Sequence, residues 1–322
     1  MRRLRLPAAA LVLALLLAAC GGQRSAEPDA YPSEQIRMLV PYTAGGPTDI
    51  AARSLARYME RSLGEPVVVE NLPGASGSAT YQELISSDAD GYTLSMTALP
   101  TAVLNYLQND VGYRKEDFAP VGVVTQVPSA LVVPAASPYA DLAALFAAAR
   151  TDPALVTVGT PGATNTHAAE TRRITQLYGV PLTVLPFNGN QEVLTALLGG
   201  NAVAGFVNIS QDMLPAIESG RIRVLAVGTP ERLPYLDAPT FVEQGFPELT
   251  QSTTTFGVIA PAGTPQPVIA RLEESVRAAA TDPETLRGLD ERYVPKEFMG
   301  SAELGRLFTE TEQTFQGVVV GG

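Results

Sequence analysis

Three stretches of this chain combine glycine, hydroxyl and amide residues in an order that suits anion capture. Gly45-Gly46-Pro47-Thr48-Asp49 follows the apolar run Ile36–Val40. Pro73-Gly74-Ala75-Ser76-Gly77 follows Val67–Glu70, and Gly159-Thr160-Pro161-Gly162-Ala163-Thr164-Asn165-Thr166-His167 follows Leu155–Val158. Each reads as a strand, a tight glycine loop and a helix start. Helix N-termini expose N–H groups without an intrahelical acceptor and carry partial positive charge, so they hold anions. Thr48 and Ser76 are the expected caps, with Asp49 in the first turn of its helix. Any one loop is equally a plain capped turn. Three loops facing one cleft would offer backbone amides and neutral hydroxyls, which can hold a carboxylate without an arginine.

Other chemistry is poorly supplied. The chain has no Gly-Lys-Ser/Thr phosphate loop and no Gly-x-Gly-x-x-Gly, so a nucleotide phosphate is not the expected anion. His167 is the only histidine. It cannot build a multi-histidine metal site, and no Gly-x-Ser-x-Gly elbow exists to make it the base of a triad. It reads as a helix-face histidine or a polar wall residue. No metal, cofactor or catalytic residue is expected. Glu273-Glu274 and the acidic C-terminal helix read as solvated faces.

The elements that must position these loops alternate between strand and helix. Ile36–Val40, Val67–Glu70 and Thr93–Thr97 read as strands, with helices over Thr48–Leu63 and Ser76–Ser87 between them. This is a βαβαβ unit, hence a parallel sheet covered by helices. Val121–Gln126 and Ala130–Val133 are β-like runs separated by Pro128. A second α/β unit follows, with strands over Leu155–Val158, Leu182–Leu185, Ala202–Val207 and Ile222–Val227. Its helices are expected over Asp141–Arg150, Thr164–Tyr178, Gln191–Leu198 and Asp212–Ser219. Phe256–Ala260 reads as a strand returning to the first unit, and helices over Val268–Ala280, Pro283–Leu289 and Ala302–Gln316 close the chain. Residues 33–126 plus 256–322 form one expected lobe and 127–255 the other. A cleft between α/β lobes, at the carboxyl ends of strands, is the usual place for a small ligand.

The N-terminus carries Arg2, Arg3 and Arg5, an apolar stretch from Pro7 to Leu17, then Ala18-Ala19-Cys20. That pattern is a secretory signal over 1–19, and its context looks like a lipobox with Cys20 lipidated. Cys20 is the only cysteine, so a mature chain lipidated there would have no free thiol. Residues 20–32 read as an anchor and tether holding the protein to a membrane surface without spanning it. The expected location is exported and lipid-anchored, facing the periplasm or cell exterior. The net charge of −11 argues against a nucleic-acid partner and means that overall charge cannot attract an anionic ligand. The protein is expected to act as a monomer.

Longer stretches carry a family resemblance. They include Val40–Asp49 with Arg53, Leu63–Asn71, Pro73–Gly77 and Asp90–Leu94. Gly220–Val227, Ala238-Pro239-Thr240 with Glu243 and Gly245, and Ala260–Pro265 continue the match. The chain resembles the Bug family, the TctC-like substrate-binding proteins of tripartite tricarboxylate transporters, over essentially the whole mature domain. The resemblance implies an α/β, two-lobed periplasmic-binding-protein (Venus flytrap) fold that captures a small di-, tri- or aromatic carboxylate between its lobes. It implies delivery to a membrane permease of a large and a small subunit. The matching ligand positions are Tyr42, Thr43, Ala44, Gly45, Gly46, Thr48 and Asp49, then Gly74, Ala75, Ser76 and Gly77, with Thr97 and Ala98. From the second lobe they are Gly162, Thr164, Asn165, Thr166 and His167, with Asn208 at a strand end.

The sequence also departs from that family. Pro186-Phe187-Asn188-Gly189 stands where members often read Pro-Tyr-Lys-Gly, and Asn201–Asn208 lacks the acid many members carry, which weighs against an amino-acid ligand. Thr253-Thr254-Thr255 replaces an aromatic. The reading is a binding protein without catalysis; alternatives are a ligand-presenting partner of a membrane sensor or, less favoured, an enzyme using His167.

Overall fold

The computed structural model describes residues 31–249 and 252–319. The expected signal peptide, Cys20 and all but the last two residues of the expected tether lie outside the described residues. From Pro32 onward the chain forms one unit, built on two five-stranded sheets.

The first sheet begins with β1 (Ile36–Val40), helix α1 (Pro47–Leu63), β2 (Val67–Asn71), α2 (Ser78–Ser86), β3 (Thr93–Leu99), α3 (Thr101–Gln108) and β4 (Phe118–Val127). β1 pairs in parallel with β2 and β3, as short apolar strands separated by helices must. The chain then passes Pro128 into β5 (Ser129–Pro134). It continues through α4 (Leu142–Thr151), β6 (Thr157–Thr160), α5 (Thr166–Tyr178), β7 (Thr183–Pro186), α6 (Asn190–Leu198), β8 (Ala204–Asn208), α7 (Leu214–Glu218) and β9 (Ile222–Val227). It returns as β10 (Thr254–Pro261) and ends in α8 (Gln266–Ala279), α9 (Pro283–Leu289) and α10 (Ser301–Val319).

The sheets are β2-β1-β3-β10-β4 and β7-β6-β8-β5-β9. Each holds one antiparallel strand that arrives from the other sheet's side of the chain. β10 runs antiparallel between β3 and β4, and β5 runs antiparallel between β8 and β9. The two lobes are therefore joined by two crossings, at Pro128 and between β9 and β10. Separate apolar cores fill the lobes. Phe206, Phe146 and Phe241 centre one, and Leu39, Tyr81 and Phe118 centre another.

Several elements differ from the sequence reading, each for a local reason. Thr48 does not cap α1. Gly46 occupies the cap position without a side-chain bond, and Pro47 opens the helix. Proline fits the first helical turn because its missing N–H would be unpaired there anyway. Ser76 is not the cap of α2 either. It sits in a 3-10 turn, Ala75–Gly77, with left-handed φ of 54°, and Gly77 precedes the helix. The strand expected over Leu155–Val158 is displaced, because Pro153–Leu155 turns as a 3-10 helix and leaves Leu155 half exposed. Helix α3 has no counterpart in the sequence reading. Its residues Thr101–Tyr106 are all buried, although Thr101, Asn105 and Gln108 recur at helical spacing. No helix among the described residues is long and apolar enough to cross a membrane.

Candidate functional site

Between the sheets lies a small cavity. Its walls come from strand ends and the first turns of helices. Tyr42 follows β1, Ala98 lies near the end of β3, Pro161 follows β6 and Asn208 ends β8. Thr254 and Phe256 come from the start of β10. Gly46, Pro47 and Thr48 open α1, Thr101 opens α3, Asn165 and His167 open α5, and Asn190 opens α6. Four helix N-termini thus converge on one space at the carboxyl ends of β1, β3, β6 and β8, the crevice position favoured for ligands in α/β sheets.

The local polarity follows from which donors remain free. α1, α3 and α6 have no side-chain cap, so no side chain accepts their first-turn N–H groups. α5 is capped internally, because Asn165 Oδ1 accepts the Ala168 N–H at 2.8 Å and Thr101 Oγ1 accepts the Thr166 N–H at 3.3 Å. None of the lining side chains is charged. Positive potential here comes from helix dipoles and amides alone. Phe256, Ala98, Pro47 and Pro161 supply apolar wall. Burial pushes the Tyr42 phenol well above its usual range, with the Thr101 hydroxyl beside it acting in the opposite sense.

His167 is held neutral. Burial lowers its pKa to about 3. Because Asn165 Oδ1 is committed to Ala168, its Nδ2 faces His167 Nδ1 at 3.3 Å, which makes Nδ1 the acceptor. Nε2 then carries the proton and donates to Ser129 Oγ at 2.8 Å. Asn208 Nδ2 reaches the same Ser129 Oγ at 3.1 Å and Thr254 Oγ1 at 3.0 Å. The ring is a polar wall element tied into a neutral network, with no carboxylate partner. Behind this wall, Asn190 Nδ2 donates to Asp212 Oδ2 at 2.9 Å. Burial raises the Asp212 pKa, while hydrogen bonds from Ser210 and Asn190 work against it.

Of the sequence-predicted residues, Tyr42, Gly46, Thr48, Ala98, Asn165, His167 and Asn208 line the cavity. The others are near but do not line it. Asp49 is committed elsewhere. Its carboxylate accepts the Gly45 N–H at 2.9 Å, Arg53 Nε at 3.0 Å and Asn71 Nδ2 at 3.0 Å. The glycine-loop amide is therefore used by the protein's own acid. Thr43, Ala44 and Gly45 form the lobe rim, where Gly45 O accepts Gln191 Nε2 from the opposite lobe at 3.4 Å. Thr97 is buried behind Ala98, beside Tyr81. Thr166 pairs its hydroxyl with that of Thr101 at 3.3 Å. Ala75, Ser76, Gly162 and Thr164 line a separate outer groove with Phe187 and Asn188, so the Pro186–Gly189 departure falls there and not in the cavity. Gly74 and Gly77 carry positive φ in the same loop and shape its turn.

Pro47, Thr101, Pro161, Asn190, Thr254 and Phe256 complete the cavity without having been singled out as site residues. Asn190 was within reach of sequence reasoning. Asn188-Gly189-Asn190 after β7 is a fourth glycine and amide loop opening a helix. Thr101 opens α3, a helix absent from the sequence reading.

The chain matches the model of the tripartite tricarboxylate transporter family receptor, TctC, over residues 51–319. It belongs to that family. The receptor is 32% identical to a Cupriavidus necator protein from the gbd 5' region over 312 residues, 97% of this chain and 94% of the relative. It is 35% identical to BugT of Bordetella pertussis over 276 residues, 83% of each chain. Among solved structures it is similar to MatC of Rhodopseudomonas palustris with bound malate, with TM-score 0.84, 28% identity and coverage of 90% of this chain and 100% of that one. An R. palustris protein solved with adipate has TM-score 0.83 and 29% identity, covering 90% and 97%. The receptor thus has the two-lobed solute-binding fold expected for the Bug group, in a family of binding proteins and not of enzymes.

Proposed function

We propose that this receptor captures a small carboxylate in the interlobe cavity and delivers it to the membrane permease of a tripartite tricarboxylate transporter. The observation that carries the reading is the convergence of uncapped helix N-termini on a cavity with no charged lining residue. A carboxylate would accept amide hydrogen bonds near Gly46 and Thr48 and from the opposing helix starts, with hydroxyls at Tyr42, Thr48 and Thr101 completing its shell. Ala98 and Phe256 would cover the carbon skeleton, and Asn165, His167 and Asn208 would form the far wall. No lining carboxylate is there to meet an ammonium group, which favours a simple acid over an amino acid. The malate and adipate held by the related R. palustris proteins are of that kind. Residues 33–126 with 256–322 and residues 127–255 would be the two bodies that close on the ligand. Export and lipidation at Cys20 would hold the receptor at the membrane face.

Titration calorimetry of the purified protein against malate, adipate, succinate, citrate, glutamate and aromatic acids tests this. Calorimetry suits a chain with no tryptophan. One-to-one binding of one acid, weakened about tenfold or more by Thr48→Val or Thr101→Val, is the expected result. Silence to every acid from folded protein, with binding of an uncharged solute instead, would overturn it. Metabolic labelling with a radioactive fatty acid, lost in Cys20→Ala, checks the anchor.

A further inference from the structure

Among the contacts between the lobes outside the cavity, one is made by a buried amide. Asn105 lies in α3, fully buried, and does not line the cavity. Its Nδ2 donates to the Ser76 carbonyl at 2.9 Å, and its Oδ1 accepts the Thr164 hydroxyl. Ser76 and Thr164 belong to different lobes and are also joined directly, since Ser76 Oγ accepts the Thr164 N–H at 3.2 Å. The triangle needs two unusual backbone features. Ala75 and Ser76 both adopt left-handed φ, at 46° and 54°. Such conformations persist in non-glycine residues only where the surroundings hold them, and the Asn105 amide holds this one. Across the cleft, Gly162 leaves the space Ser76 fills, for a Cβ there would stand 2.6 Å from Ser76 Oγ.

The triangle also has a telling place. Ser76 and Thr164 line the outer groove, whereas their neighbours Thr101 and Asn165 line the inner cavity. The contact stands where the groove meets the cavity.

We propose that Asn105 is a positioning residue that latches the Gly74–Gly77 loop to the Gly162–Thr164 loop, and so sets how long the lobes stay closed. This rests on the reading of the protein as a receptor that closes, but not on which acid it takes. The latch is made of neutral groups outside the cavity, so its loss should speed opening and leave encounter with the ligand unchanged. Thr164→Val removes only the hydroxyl bond to Asn105 and keeps the side chain's shape and its N–H. Asn105→Leu removes both amide bonds. Thr164→Ser keeps the hydroxyl.

The test is pulsed electron paramagnetic resonance on protein with Cys20→Ser and spin labels at Asp110→Cys and Ala163→Cys, on opposite sides of the outer groove. Distances are recorded alone and with malate or adipate at millimolar concentration. Thr164→Val should lower the closed-to-open ratio about fivefold, the weight of one hydrogen bond, and Thr164→Ser should restore it. Asn105→Leu should lower it further; if that variant misfolds, the two threonine variants still decide. Dissociation of whichever acid binds should accelerate by the same factor with association unchanged. Identical distance distributions in wild type and Thr164→Val, a wild type that never shows the closed distance, or failure of Thr164→Ser to restore the ratio would overturn the proposal. Failure of the carboxylate reading looks different: no acid changes the wild-type distances, while the variants still differ from wild type without ligand.

Discussion

Gly189 and Thr43 meet across the cleft with no room for a methyl group between them. A Cβ at position 189 would stand 2.5 Å from Thr43 Oγ1. The glycine itself is extended, with φ 171°, a backbone that any residue adopts. A side chain at 189 therefore costs little within its own lobe and obstructs only the approach of the other. Gly189→Val should weaken ligand binding about tenfold or more, through loss of the closed state, while the melting temperature without ligand changes little. Calorimetry and a thermal melt on the same sample check this. A large drop in melting temperature with affinity intact would show that the clash is felt in folding and not in closure.

Asp49 should prove a folding residue and not a ligand residue. Burial pushes its pKa up, but Arg53, the Gly45 amide and Asn71 together hold it below the usual carboxylate range. A depressed folded pKa adds stability that is present above the unfolded value, near 4, and lost as pH falls through the folded one. Asp49→Asn should thus lower stability by about 1–3 kcal/mol at pH 7. Its denaturation curve should approach that of wild type as the pH is taken from 5 towards 2. A difference that stays constant with pH would remove the charge from the explanation.

His167 gives an opposite test of burial. Its folded pKa of about 3 lies below the unfolded value of about 6.5. The folded protein must therefore keep it neutral, and stability is lost as pH falls below 6.5, by about 1.4 kcal/mol per unit until the folded pKa is reached. His167→Gln cannot titrate. It should be less stable than wild type at pH 8, having lost the ring's contact with Phe206 at 5.7 Å. The gap should narrow or reverse by pH 4. Urea denaturation at the two pH values measures it, and parallel curves would mean that the histidine is protonated in the fold.

Ligand affinity should respond weakly to salt. A cavity without lining charges holds an anion by fixed dipoles at hydrogen-bond range, where mobile ions screen little. Between about 50 and 500 mM sodium chloride the dissociation constant should change less than about twofold. A steep loss of affinity would point to a cationic side chain that moves into the site on closure.

Much of the lobe architecture was legible because it depends on local pattern. Ile222–Val227 and Pro283–Leu289 were readable to the residue, the first as an apolar run between glycines and the second from Asp282-Pro283 at a helix start. The strand-glycine-helix order alone singled out the loops at Gly46 and Asn165, and both line the cavity. The buried helix Thr101–Gln108 was missed, although Thr101, Asn105 and Gln108 recur at helical spacing.

The sequence by itself determined two α/β units and their glycine loops. Only the tertiary structure decided which loop donors are free. The Gly45 amide is taken by Asp49, and Ser76 turns from a helix cap into a tie across the lobes. The cavity joins Tyr42 to Thr254 and Asn165 to Thr101, residues far apart in the chain. Helix starts follow from neighbouring residues, but their convergence depends on how two sheets close on each other, and no local pattern encodes that distance.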